Sequence, residues 1–354
     1  MKKRCATAKM KCKRYCFILL VVSIFMLSCS KQNSIIIYIA NEGDGTISVI
    51  DSKKLEVIKT IKLDGMPHNV NVDPLGRYFY ATNHEGEEEM PADGHAGHVP
   101  YLRILDIKNN KLLHSIPMNE IAAHVVPSKD GGFVYVSREG GNTVVEVDID
   151  KEQITRVFNV GEGPHGFVLS NDGKKMYVPN MRSNDASIVD LDTGNEERIG
   201  LFYETNKCET PVAMGTTHDD KYSFVTCGKS FEIYKIDNSN KKIVARIELK
   251  KGEFPGPIQL PVHPSNKYLY VPDMRNGVVH KVDIEKFEVI KDIQTAPGAH
   301  GIAYSFDGKI AYITNTWDNS LSVLDIASDS VIKKIEVGLK PNGVAVSNGK
   351  NQGW

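Results

Sequence analysis

The 354-residue chain has no surplus of charge of either sign: 43 Lys and Arg stand against 44 Asp and Glu, a formal net charge of -1. That balance argues against a nucleic-acid partner, which is held by a basic face. Signatures of nucleotide and acyl chemistry are missing as well. There is no phosphate-cradling P-loop and no G-x-S-x-G elbow. C-x-x-C-H is absent, so covalent c-type haem is not indicated. Cysteine is scarce in the body of the chain: of Cys5, Cys12, Cys16, Cys29, Cys208 and Cys227, only the last two lie beyond residue 29. The main apolar run, residues 16–27, is 12 residues long, short of the roughly 20 needed to cross a bilayer as a helix. The rest is ordinary: 41% hydrophobic and 25% charged residues, enough for a large core.

The first 30 residues read as a targeting segment. Lys2, Lys3, Arg4, Lys9, Lys11, Lys13 and Arg14 precede the apolar run, and small residues follow it, the order of a secretory signal peptide. Its end, Met26-Leu27-Ser28-Cys29, resembles the lipobox of bacterial lipoproteins. The resemblance implies lipidation of Cys29 and a protein anchored at the periplasmic or extracellular face. Residues 1–28 are then the signal, 29–34 a short tether, 35–347 the folded domain and 348–354 a tail. Cleavage before Cys29 leaves Cys208 and Cys227. An oxidising compartment lets them pair, closing a loop of about 20 residues worth about 3 kcal/mol; a thiolate ligand is the alternative.

What is abundant is repetition. Tyr38, Tyr80, Tyr135, Tyr177, Phe224, Tyr270 and Tyr312 recur at steps of 42, 55, 42, 47, 46 and 42 residues. Asp51, Asp106, Asp148, Asp190, Asp237, Asp283 and Asp325 recur at 55, 42, 42, 47, 46 and 42. Between the markers lie short β-branched runs separated by Gly, Asp and Asn, a strand-and-turn pattern. A four-stranded unit repeated every 40–50 residues predicts a β-propeller. The chain is therefore read as all-β: a seven-bladed propeller of four-stranded antiparallel blades. The folded domain opens on the second strand of a blade, residues 35–40, and closes on a first strand, residues 343–347. The last strand is expected to join the first blade and seal the ring.

The segments Tyr38-Ile-Ala-Asn41, Tyr80-Ala-Thr-Asn83, Tyr177-Val-Pro-Asn180 and Tyr312-Ile-Thr-Asn315 resemble the YVTN family of propeller repeats. A related family is the haem-binding propeller of cytochrome d1, with the periplasmic propeller involved in making that haem. The first resemblance implies the fold; the second implies a tetrapyrrole at the channel mouth with histidine as axial ligand.

Strand direction gathers the candidate chemistry on one end, the top, where each blade's outer strand passes to the next blade's inner strand. In the slot just before the inner strands stand His68, His165 and His300, with Asn342, Val212 and Ile258 in other copies. Ala123 aligns in the remaining copy, with His124 one position off. Neutral imidazoles on a ring suit a metal or a metallated tetrapyrrole; inherited loop capping is the bland alternative. Arg182 and Arg275, from the paired segments Pro179-Asn-Met-Arg and Pro272-Asp-Met-Arg, are candidate anion or propionate contacts, or simply solvent-exposed arginines of two similar repeats. The loop after Asn83 is about 13 residues longer than its counterparts, and it carries His84, Met90, His95 and His98 among acidic residues. That palette suits copper or zinc, or is a solvated acidic flap. No catalytic set is apparent. The reading is a binding scaffold whose top face takes a small molecule, a metal or a protein, with a cytochrome d1-like haem-binding or haem-assembly role as the alternative.

Overall fold

A computed structural model describes residues 35–84 and 100–347. The described chain is all-β, and its blades form a seven-bladed propeller. The first blade consists of Ile36–Asn41, Thr46–Asp51 and Glu56–Lys62, with Pro341–Ser347 as its innermost strand. That last strand pairs antiparallel with the first, Ile37 opposite Val346 and Ile39 opposite Val344. The two ends of the domain thus close the ring by hydrogen bonds. The closing strand begins two residues before the expected 343, because Pro341 pairs with Asn41 across a bulge.

Blades two, three, four, five and seven begin with inner strands at Met66–Val72, Ala122–Pro127, Val168–Leu169, Pro211–Thr216 and Ala299–Tyr304. In blade six the innermost position is held by two isolated bridges, Pro257 to Asp273 and Val262 to Leu269. They flank the regular strands Tyr268–Asp273, Val278–Asp283 and Glu288–Gln294. A small extra hairpin, Phe202–Tyr203 with Asn206–Lys207, follows blade four.

Apolar burial is organised between blades. Among the described residues there are seven hydrophobic clusters, one at each seam between neighbouring blades. All seven recurring aromatics are buried in them; Tyr38 stacks on Phe79 of the next blade at 4.1 Å. The seven recurring aspartates cap the turn between the third and fourth strands. Asp51, for example, accepts hydrogen bonds from the backbone of Lys53 (2.8 Å) and Lys54 (3.1 Å), and Asp325 from Ala327 (2.8 Å) and Ser328 (2.9 Å). A carboxylate at a strand end satisfies turn N–H groups that the ladder leaves open.

Inside three blades, a buried Asn reaches the third strand: Asn41 to Ser48, Asn180 to Ser187 and Asn315 to Ser322, each at 2.9 Å. In blade five Cys227 takes the Asn position and is disulfide-bonded to Cys208, with Cα atoms 5.2 Å apart. In blade six the pair is ionic. His280 holds Asp273 at 3.2 Å and Asp292 at 2.7 Å. Burial pulls the His280 pKa down, but the hydrogen bonds to the two aspartates outweigh it and the net shift is upward. Burial likewise opposes ionisation of Asp273, and hydrogen bonds from His280 and Asn276 overcome it, so its pKa falls.

Two outcomes are expected. Deleting residues 341–354 leaves strand Ile36–Asn41 an open edge; size-exclusion chromatography and thermal melting should show aggregation and loss of a cooperative transition, and a monomer melting like the parent would contradict the closure. His280→Gln removes one member of a buried ion pair, a loss on the order of 3 kcal/mol. The His280 contribution is lost as pH rises through its raised pKa, and that of Asp273 as pH falls through its lowered one. Urea titrations should therefore show the largest deficit between the ordinary carboxylate and imidazole values, 3.8 and 6.5, and a smaller one at alkaline pH; a deficit independent of pH would exclude the pair as its source.

Candidate metal centre

The neck of the central channel is built from bulges. At the start of the inner strands the pairing register slips: between Pro67 and Asn69, between Ala122 and Val125, and between Ala299 and Ile302. A bulge leaves residues unpaired and turns them out of the sheet. The released residues include His68, His124 and His300 in those three blades, and Asn342 in the first blade lies in the same irregularity. In blade four Pro164 bridges to Asn180 and His165 follows it. Close approach of backbones keeps side chains small beside these histidines. A Cβ on Gly301 would lie 2.3 Å from the Asn342 carbonyl oxygen.

His68, His124 and His165, from three successive blades, converge. Their ring centroids are 5.7 Å (His68–His124), 5.5 Å (His68–His165) and 4.6 Å (His124–His165) apart. One ring nitrogen from each lies within 4.8 Å of the other two, and all three side chains are buried. Two of the rings are oriented from behind. The Nδ1 of His165 lies 3.1 Å from the Val212 carbonyl; a carbonyl only accepts, so Nδ1 carries the proton and Nε2 the lone pair. The Nδ1 of His68 lies 3.1 Å from the Glu42 carboxylate, which also accepts from the Asn342 amide at 2.8 Å. A carboxylate or carbonyl behind an imidazole is the usual support of a metal-ligating histidine. Tetrahedral nitrogen ligands at 2.0–2.1 Å stand about 3.4 Å apart, against separations of up to 4.8 Å here.

His300, from blade seven, is buried near His68 but outside the triad. Burial, with His68 adding to it, holds its pKa down at about 4, against the smaller pull of Glu42 and of a hydrogen bond to the Asn342 backbone. Its Nδ1 has no hydrogen-bond partner among the described residues.

The sequence-predicted set thus divides. His68 and His165 come together, and His300, though near His68, is not part of the triad. His124, one position off in the alignment, is the third member. Its backbone N–H bonds Ser137 Oγ as that of Asn69 bonds Thr82 Oγ1, so it occupies the second position of the bulge, one residue farther along the channel. The arginines lie at blade seams. Arg182 donates to the Glu139 carbonyl (2.7 Å) and Asn142 Oδ1 (2.9 Å). Arg275 donates to the Glu253 carbonyl (2.9 Å) and lies 5.4 Å over the Trp317 ring. His84 ends the second strand of blade two, opposite Met66; Met90, His95 and His98 lie outside the described residues, as does Cys29.

Fold and neck define a class, the seven-bladed β-propeller with side chains converging at its axis. Comparison with known proteins agrees on the fold. Residues 199–350 match the family model described as YNCE-like beta-propeller, and residues 106–215 match that of the seven-bladed lactonase propeller. The chain is similar to the protein YncE of Salmonella typhi, 21% identical over 276 residues, which are 76% of this chain and 74% of that protein. Among solved structures it resembles hydrazine synthase of Kuenenia stuttgartiensis, with a TM-score of 0.66 at 18% identity over 82% of this chain and 92% of that one. It also resembles the dihydro-heme d1 dehydrogenase NirN, with a TM-score of 0.62 at 15% identity over 87% of this chain and 74% of that one. At these identities the structural likeness is one of fold.

In the metal-free protein, isotope-labelled histidine spectra should show His300 neutral until pH falls through about 4, its signal identified by its loss in His300→Gln; titration near the ordinary value of 6.5 would place the ring in a wetter site than the one described.

Proposed function

We propose that the protein is a lipid-anchored, extracytoplasmic propeller that binds one transition-metal ion, zinc or copper, through His68, His124 and His165. The observation that carries this reading is the convergence of three buried ring nitrogens within 4.8 Å. Imidazole suits both metals, and three neutral imidazoles leave the ion its full charge and one coordination position for an exogenous ligand. The Val212 carbonyl adds to the case, because it favours the His165 tautomer that presents Nε2. The propeller supplies rigidity: each ligand sits on a different blade, so the site forms only in the closed ring.

A haem reading has less support. Imidazole centroids 4.6–5.7 Å apart leave no room for a macrocycle held between two of these rings, and Arg182 and Arg275 are engaged with neighbouring loops.

The full-length protein, purified in detergent and stripped with chelator, should take up one equivalent of Zn²⁺ or Cu²⁺ per chain. Replacing His68, His124 and His165 by alanine should abolish this. Glu42→Gln should weaken it about 10–100-fold while thermal melting of the metal-free protein changes little. Uptake that survives the triple replacement would overturn the assignment, and its disappearance on removal of residues 85–98 would move the site to the long loop. A Soret shift with added haemin that depends on His300 would instead favour the tetrapyrrole.

A further inference from the structure

The central channel widens below the neck. A cavity of about 820 Å³, within the range of small-molecule sites, runs from the bulge layer to the bottom end of the propeller. Asn69, His124 and Gln259 stand at its inner end, and Pro74, His218 and Phe306, on the turns between first and second strands, stand at its rim. His124 is the one triad histidine on this wall.

The wall is nearly neutral. Among the described residues lining it there is neither Lys nor Arg. Its one carboxylate, Asp73, is paired with Arg77 at 2.8 Å. Amide groups bridge to neighbouring blades: Asn71 donates to the Val125 carbonyl at 3.1 Å, and Asn69 accepts from the Val125 N–H at 3.3 Å. More than half of the wall is apolar, with Phe167, Leu260, Ile302 and Val344 contributing. Such a wall holds a ligand by the apolar area it removes from water and offers an anion no counter-charge.

We infer that the open coordination position of the ion is reached from the bottom end, through this funnel, by an uncharged, mainly apolar organic molecule carrying one donor atom. The inference rests on the metal reading above and reverses the face on which sequence alone placed the ligand. The geometry behind it is independent of that reading: the funnel, the position of His124 on its wall, and the absence of Lys and Arg among the described lining residues.

Cobalt(II) substitution gives a visible spectrum that reports exogenous ligands. The test uses the full-length chain with Cys5, Cys12, Cys16 and Cys29 replaced by serine, so that the disulfide-bonded pair is the only cysteine left. In this cobalt protein 4-phenylimidazole should bind at least ten-fold tighter than imidazole, and azide should bind weakly. A cysteine at the bottom rim, His218→Cys, modified with a bulky maleimide, should slow 4-phenylimidazole binding at least ten-fold. The same modification at the opposite end, on Leu339→Cys, should leave the rate unchanged. Equal affinities for the two imidazoles, or slowing by the top modification rather than the bottom one, would overturn the funnel inference while leaving the metal site intact. Failure of cobalt to bind would overturn the metal reading, and this inference with it.

Discussion

Everything in this molecule depends on the ring being closed. A blade has apolar side chains on both faces and cannot bury either alone; each of the seven hydrophobic clusters is shared by two neighbours. The pairing of Ile36–Asn41 with Pro341–Ser347 supplies the seventh seam and covers the open inner edge of the first blade at once. The candidate site inherits this dependence. Its ligands come from blades two, three and four, and the support of His68 comes from Glu42 and Asn342, which belong to the blade that the closure completes.

The neck shows how a repeat acquires chemistry without a catalytic motif. The bulge recurs at the head of the inner strands and frees residues from the ladder. Where those residues are Val212 or Ile258 they pack. At histidine positions the adjoining blade can set the tautomer, as the Val212 carbonyl does for His165. The same tight backbone approach that forbids a Cβ at Gly301 brings neighbouring rings to 4.6–5.7 Å. His280 and Asp273 illustrate the contrasting case. They are buried, charged and mutually satisfied, and they replace an Asn–Ser lock within one blade.

Much was legible because the repeat is strict. Aromatics and aspartates at 42–55-residue steps reported strand number, blade number and closure, since each marker has one structural duty in every copy. The site was half legible. His68 and His165 stood out by their place in the repeat, but His124 fell one residue out of register, and alignment alone does not say which position of a bulge faces the axis. Arg182 and Arg275 were read as candidate anion contacts or as exposed residues of two similar repeats; their place at the blade seams was not legible, because partners from neighbouring loops lie beyond the reach of a one-dimensional pattern.

By itself, then, the sequence determined the architecture. Period-2 patterning and turn residues act locally, and seven repetitions reinforce one answer. Only the tertiary structure decided which histidines meet, what stands behind them and from which end they are approached. Those are matters of ångström distances between residues far apart in the chain, 274 positions for His68 and Asn342 and 300 for Glu42 and Asn342. They exist only once the blades have been brought round into a ring.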